Sequence, residues 1–264
     1  MKSILVPTDF SDFATLAADA AAELARRFEA KLFFFHCLEN SPSDTAPEVD
    51  QVADTLNAYR GKYPEIDIQT GYASGTVAAT IAQYAAEHAI DFLVMGSHGR
   101  SGKSEYFIGS VTQKVIRQVH CPVLVVKEPL TDWSFDKVVF ASSFHENEVA
   151  AFLHFKDFVK HFAPEIHLVE IQTGSLFDPP YFLSKESMER FRHLASPFYC
   201  RTHVLQDWNV DHGIRSFAEK IGAKLIGISN HHRHPLKRML VGSRAEALIN
   251  HAGLPVITID YLDE

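Results

Sequence analysis

Ile4-Leu5-Val6-Pro7-Thr8-Asp9-Phe10-Ser11 and, 134 positions later, Val138-Val139-Phe140-Ala141-Ser142-Ser143-Phe144-His145 have one shape. Each is an apolar run that stops at a polar turn, the form of a short buried strand feeding a helix. A second landmark repeats at nearly the same offset. Ile108-Gly109-Ser110 leads through a helical pattern to Cys121-Pro122-Val123-Leu124-Val125-Val126, and 133 positions on, Val241-Gly242-Ser243 leads to Leu254-Pro255-Val256-Ile257-Thr258-Ile259. Two landmarks at one offset identify a tandem duplication, with its seam at Lys127–Ser134 and domains over residues 1–130 and 131–264.

Within the first copy, apolar runs alternate with helical stretches. Ile4–Pro7 reads as a strand, and Ser11 or Asp12 caps a helix whose Ala14, Ala17, Ala21, Leu24, Ala25 and Phe28 recur at helical spacing. Leu32–Cys37 is the second strand; Ser41–Glu48, rich in Ser, Pro and Asp, is a loop before a helix over Val49–Tyr59. Ile66–Tyr72 alternates as a strand, Thr76–His88 is a helix, Phe92–Met95 a strand, Gly109–Val119 a helix and Pro122–Val126 the last strand. Strands apolar on both faces and separated by helices belong to a mostly parallel sheet covered on both sides. The expectation is an α/β protein with two tandem five-stranded parallel sheets and helices on both faces.

Composition sets the outer bounds. A chain of 264 residues, 46% hydrophobic and 22% charged, holds one large core or two of about 130 residues each, and the repeat selects two. Its 25 basic and 33 acidic side chains give a formal charge of −8, which argues against an extended nucleic-acid surface built on phosphate neutralisation. No stretch reaches the roughly 20 apolar residues of a membrane span, and Met1-Lys2-Ser3-Ile4-Leu5-Val6-Pro7-Thr8-Asp9 turns polar too soon for a signal peptide. A cytoplasmic protein without nucleic-acid or membrane partners is expected. Cys37, Cys121 and Cys200 are odd in number and far apart, so they read as buried reduced thiols and not as a disulfide framework or zinc knuckle. Histidine separates the copies, with 4 of 15 in the first and 11 in the second.

Ligands of open α/β sheets bind beyond the carboxyl ends of the strands, where neighbouring crossovers leave to opposite faces. The segment after the fourth strand runs Met95-Gly96-Ser97-His98-Gly99-Arg100-Ser101-Gly102-Lys103-Ser104-Glu105-Tyr106-Phe107-Ile108-Gly109-Ser110-Val111. Gly96 and Gly99 let the backbone approach a ligand, and Gly109-Ser110 opens a helix whose free N–H groups suit a phosphate. Gly102-Lys103-Ser104 imitates the end of a Walker A motif, but position 97, where that motif needs glycine, is serine.

The spacing of Gly96, Gly99, Gly109 and Ser110 resembles the nucleotide-binding signature of the universal stress protein family. Val6-Pro7-Thr8-Asp9-Phe10-Ser11, His36-Cys37 and Cys121-Pro122-Val123 support the likeness, which covers the whole chain as a tandem member and is stronger in residues 1–127 than in 132–264. The resemblance implies a flavodoxin-like, Rossmann-like sheet in strand order 3-2-1-4-5, and ATP binding where the signature is retained. It also implies association through the last strands. Val123–Val126 paired with Val256–Ile259 would make one chain an intramolecular pseudo-dimer, and pairing of two chains as a homodimer stays open.

Carried over by position, Pro7, Thr8 and Asp9 line the adenine and ribose end, the Asp9 carboxylate accepting hydrogen bonds. The backbone of Cys37 meets the adenine, a thiol where valine is common. Gly96, Gly99, Gly109, Ser110 and Val111 surround the phosphates, with Met95 flanking. The implied cofactor is ATP, with Mg²⁺ left open. Asp9 also reads as a helix cap, and His98, Arg100 and Lys103 as solvated loop side chains or phosphate contacts.

The second copy reads as degenerate. Aligning Leu225-Ile226-Gly227-Ile228-Ser229 with Leu93-Val94-Met95-Gly96-Ser97 puts Ile228 at Gly96 and His231 at Gly99, and Ser143 replaces Asp9. A β-branched side chain in the phosphate space closes the cradle. His231, His232 and His234 are weak metal candidates against an exposed basic loop, since their spacing matches no standard site. Phe177-Asp178-Pro179-Pro180-Tyr181-Phe182 reads as aromatic packing between the copies or as part of a pocket. The function expected is ATP binding by the first copy of a stress-response or regulatory protein, with the second copy as structural partner. The alternative is a weak ATPase or adenylate-converting enzyme at the same site; no catalytic residue is assigned.

Overall fold

The structure, a computed structural model, describes residues 1–38, 46–97, 109–175, 178–231 and 244–261. The chain divides into two compact units, Met1–Leu130 and Thr131–Glu264. Unit 1 runs β1 (Ser3–Pro7), α1 (Asp12–Phe28), β2 (Lys31–Leu38), α2 (Ala46–Lys62), β3 (Ile68–Ser74), α3 (Val77–Glu87), β4 (Phe92–Gly96), α4 (Ser110–Ile116) and β5 (Val123–Val126). Its strand pairs are all parallel and give the order β3-β2-β1-β4-β5. The β4 strand is apolar and buried along its whole length, and β1 is so from Ile4 to Pro7, as a central parallel strand requires.

Unit 2 runs β6 (Lys137–Ala141), α5 (Val149–Val159), β7 (Glu165–Gln172), α6 (Tyr181–Leu194), β8 (Cys200–Gln206), α7 (Val210–Ile221), β9 (Leu225–His231), α8 (Arg244–His251) and β10 (Val256–Tyr261). Its strands are also parallel, in the corresponding order β8-β7-β6-β9-β10. The duplication extends to backbone features that no residue pattern displays. Phe10 and Phe144 have φ of 62° and 57°, and Glu29 and Ala163 have φ of 51° and 48°. Both pairs stand 134 positions apart, and each places a non-glycine residue in the left-handed region.

The units fill the layer between the sheet and the first helix differently. Ser11 caps α1 by accepting from the Ala14 N–H at 3.2 Å, and the buried face of that helix is Ala14, Ala17, Ala18, Ala20, Ala21, Ala22, Leu24 and Ala25. Such small side chains bring the helix close to the sheet. In unit 2 the positions of Ala18, Ala21 and Leu24 are Phe152, Phe155 and Phe158, all buried. The sheet yields to them at Gly227, where a Cβ would lie 2.5 Å from two ring carbons of Phe155.

The strand register corrects one expectation. In β1–β4, Ile4 pairs with Phe92, and in β6–β9, Val138 pairs with Leu225. In β4–β5, Leu93 pairs with Val123, and in β9–β10, Ile226 pairs with Val256. Both neighbours place Phe92 over Leu225, so Gly96 corresponds to Ser229 and Met95 to Ile228. Ile228 does not occupy the position of Gly96, and closure of a cradle by its side chain is not the difference between the copies.

Two smaller expectations also change. Tyr181 and Phe182 are 59% and 66% exposed, so these rings do not pack into a core, and Phe177 lies outside the described residues. The three cysteines are half-buried and not fully buried. Burial nonetheless pushes the Cys121 and Cys200 thiols up to about 12, which keeps them protonated at neutral pH.

Candidate functional site

The carboxyl ends of β1, β2 and β4 meet at one edge of unit 1. The Thr8 N–H donates to the Phe35 carbonyl at 2.8 Å, so Thr8 faces β2. By the alternation of a parallel strand, Pro7 then faces β4, and proline has no N–H to give. The β1–β4 ladder accordingly pairs Ile4 with Phe92 and Leu5 with Leu93, whereas β6–β9 continues through Phe140–Gly227 to Ala141–Ile228. Ala141 stands at the position of Pro7 and restores the donor. One proline thus goes with an earlier end to the hydrogen-bonded ladder between the two central strands of unit 1.

A closed turn follows. Thr8 Oγ1 accepts from the Phe10 N–H at 3.0 Å and lies 3.4 Å from the Tyr59 hydroxyl. Asp9 Oδ1 accepts from the Ser11 N–H at 3.1 Å and from the Ser11 hydroxyl at 2.6 Å. Asp9 is therefore not the helix cap; it braces Ser11, which is. His36 Nδ1 lies 2.7 Å from the Thr8 carbonyl, and the His36 and Phe10 rings stack at 4.7 Å and 22°. Cys37, next on β2, directs its thiol toward the Gly75 carbonyl at 3.6 Å.

At β4 the backbone holds the ends of the following loop together. The Gly109 N–H donates to the Ser97 carbonyl at 2.7 Å, and the Thr112 hydroxyl donates to the Gly96 carbonyl at 3.1 Å. Gly109 precedes α4 without a side-chain cap, and Ser110 and Val111 are exposed in its first turn. Gly96 has a structural cause of its own. A Cβ there would stand 2.5 Å from the Phe13 carbonyl oxygen, so glycine is needed for α1 to lie on β4.

Of the residues singled out in the sequence, Pro7, Thr8, Asp9, Cys37, Met95, Gly96, Gly109, Ser110 and Val111 all flank this edge. Thr8, Met95 and Gly96 are buried in its floor, while Asp9, Cys37, Gly109, Ser110 and Val111 retain exposure. Gly99, with His98, Arg100 and Lys103, lies outside the described residues, as do His232, His234, Gly242 and Ser243. His231 ends β9. Among the described residues no group of three or more His, Cys, Asp and Glu could hold a metal ion. No described helix is long and apolar enough to cross a membrane. The roles of His36, Phe10 and Tyr59 escaped the reading of the sequence, because each acts across 26 to 51 positions and no local spacing displays them.

The same edge of unit 2 carries different contacts among the described residues. Ser229, at the position of Gly96, donates its hydroxyl to Glu148 Oε1 at 2.5 Å, and Glu148 Oε2 accepts from the His145 N–H at 2.9 Å. Phe144, at the position of Phe10, is buried against Phe140 and Phe191. Glu170 replaces His36; its Oε1 accepts from the Ser184 hydroxyl at 2.9 Å, while Oε2 is buried without a hydrogen-bond partner. Burial pushes the Glu170 carboxyl upward from its ordinary value.

Among the described histidines of unit 2, His167 pairs with His203, and His212 and His251 each pair with an aspartate. Buried His167 Nδ1 lies 3.0 Å from His203 Nε2, and its Nε2 stands 3.3 Å from Glu165 Oε1 at ion-pair distance without hydrogen-bond alignment. His212 contacts Asp207 at 2.7 Å and lies 3.4 Å from the Ser216 hydroxyl. That chain imitates a nucleophile, base and orienting acid, but Ser216 sits inside α7, where the N–H groups are spent in the helix and none can serve as an oxyanion donor.

The comparisons with known proteins agree with this architecture. A universal stress protein of Archaeoglobus fulgidus has a solved structure that superposes with a TM-score of 0.79 over 98% of both chains at 20% identity, which establishes the fold. The universal stress protein MJ0531 of Methanocaldococcus jannaschii is 32% identical over 141 residues, 48% of this chain and 83% of its own. The universal stress protein YxiE of Bacillus subtilis is 31% identical over 146 residues, covering 48% of this chain and 99% of its own. The model of the universal stress protein family matches twice, at residues 1–127 and 134–260, and the chain belongs to that family.

Proposed function

We propose that unit 1 binds an adenine nucleotide, ATP, at the carboxyl ends of β1 and β4, and that unit 2 carries none. The observation that supports this most directly is the contrast in the two ladders. Pro7 ends the β1–β4 pairing at Leu5–Leu93, whereas Ala141 carries the β6–β9 pairing on to Ile228. The end of the ladder lies beside the half-buried Asp9 carboxylate and the exposed Ser110 at the start of α4. Family membership adds the glycine spacing of Gly96, Gly99, Gly109 and Ser110. In unit 2 the buried Glu148 carboxylate, tied to Ser229 and His145, repels a phosphate from the corresponding edge.

The function is regulatory. ATP favours whichever conformation binds it better, by its differential affinity for the two, and a partner protein reads the shift in a stress response. The residues present fit the ligand: Asp9 would accept from ribose hydroxyls, the Cys37 backbone would face the base, and the Ser110–Val111 backbone N–H groups at the start of α4 would face the phosphates, the Gly109 N–H being held by the Ser97 carbonyl. Equilibrium dialysis of the full chain with ATP tests the reading. One nucleotide per chain is expected, with loss of at least about tenfold in affinity for Gly109→Val. A Gly109→Val chain that binds as tightly as wild type, or a wild type that takes two, sinks the assignment to unit 1 alone.

A further inference from the structure

We infer that His36 is a positioning residue of the unit 1 edge: its Nδ1–H holds the Thr8 carbonyl and thereby sets the turn that presents Asp9. The inference rests on the nucleotide reading and names a residue that governs the same site. A carbonyl oxygen can only accept, so at 2.7 Å His36 Nδ1 carries the proton. The fold therefore places the proton of this bond on Nδ1. Thr8 is gripped from both sides, its N–H by the Phe35 carbonyl at 2.8 Å and its C=O by His36. Phe10 and Ser11 add short-range bonds to the turn, and the Thr8 Oγ1 contact with the Tyr59 hydroxyl is longer at 3.4 Å. Phe10 adopts φ 62° and lays its ring on the imidazole, which fixes the ring plane as well as its bond.

Unit 2 serves as the internal control. It keeps the same turn, with Phe144 at φ 57°, but Glu170 stands where His36 does, and its carboxyl does not hold that turn: Oε1 accepts from the Ser184 hydroxyl and Oε2 has no hydrogen-bond partner. There the phenyl ring leaves the ridge and is buried against Phe191, with ring centroids 5.0 Å apart. The unit with the shorter ladder keeps the imidazole latch, and the unit with the longer ladder has lost it.

The test uses the full chain as wild type, His36→Asn, His36→Gln and His36→Phe, with ATP as the probe in equilibrium dialysis. An asparagine amide nitrogen falls near the place of Nδ1, a glutamine amide nitrogen near that of Nε2. His36→Asn is expected within about threefold of wild type, and His36→Gln and His36→Phe weaker by roughly tenfold or more. Nitrogen-15 spectra of the imidazoles should show His36 as the Nδ1–H tautomer before nucleotide is added. Should His36→Phe fail to fold, the Asn and Gln pair still decides, since both are polar and only the position of the donor differs. Equal affinities for Asn and Gln, undiminished binding by His36→Phe, or an Nε2–H tautomer overturns the inference while leaving nucleotide binding intact. A wild-type chain that binds no ATP overturns both.

Discussion

Units 1 and 2 share strand order, register and even their left-handed residues, yet they differ wherever the first helix meets the central strands. In unit 1 the bulk lies on the sheet: Val94 on β4 corresponds to Gly227, and Ala21 on α1 to Phe155. In unit 2 the bulk lies on the helix, with Phe155 filling the space over Gly227. Each solution fills the layer, as close packing of an interior demands. The same fold therefore tolerates an exchange of volume between layers, provided both positions change. The functional edge differs by a second kind of change, from Pro7, Gly96 and His36 to Ala141, Ser229 and Glu170. There, hydrogen-bonding capacity is altered and volume matters less.

The largest expected effect tests the exchange of volume. Phe155→Ala removes a ring with 0% exposure and should destabilise the chain by about 3–5 kcal/mol in urea unfolding. Adding Gly227→Val recreates the unit 1 pairing and should recover at least about 1 kcal/mol, measured as the coupling in a double-mutant cycle. A double variant whose loss equals the sum of the two single losses would show that the two positions are independent.

A smaller effect separates the equivalent ends of β4 and β9. Gly96→Ala drives a Cβ to 2.5 Å from the Phe13 carbonyl and should cost about 2–3 kcal/mol, because backbone must move. Ser229→Ala at the corresponding position has room and loses the bond to Glu148, at a cost of about 1–2 kcal/mol. Equal costs would remove the distinction between a packing glycine and a hydrogen-bonded serine.

The smallest effect sharpens the contrast in histidine content. Burial, with His167 alongside, lowers His203 from 6.5 to about 4. The unfolded chain then binds the proton more readily than the folded one, so the contribution is fully present above pH 6.5 and is lost as pH falls from 6.5 toward 4. At pH 5.5 the loss should be roughly 1 kcal/mol after discounting for solvent screening. His203→Gln should flatten the dependence in urea titrations between pH 7 and pH 5, and an unchanged slope would place the acid sensitivity elsewhere.

Much of the fold was legible because parallel strands and amphipathic helices write their periods into local sequence. Spacing gave the strand at Phe92 directly and narrowed the α1 cap to Ser11 or Asp12, of which Ser11 is the cap. The ends of elements were less so: α2 spans Ala46–Lys62 and not Val49–Tyr59, since its first residues, Ala46-Pro47-Glu48, continue the proline-containing polar composition of the preceding loop. The site was legible as a set of positions but not as a mechanism. Gly96 reads as a ligand contact in isolation, and its actual neighbour is the Phe13 carbonyl, from a helix that begins 84 positions earlier.

The sequence by itself determined the duplication, the α/β class, the parallel sheets and the edge at which Pro7, Asp9, Cys37, Gly109 and Ser110 gather. Those follow from periodicity and from spacings within about a dozen residues, which the chain carries along its own length. Tertiary structure alone decided the register that sets Ser229 against Gly96, the exchange of Phe155 for Val94, and the His36 bond to Thr8. Each depends on which atoms of distant segments come within a hydrogen bond or a van der Waals radius. A shift of one residue in a strand changes those contacts while leaving the local pattern nearly unaltered.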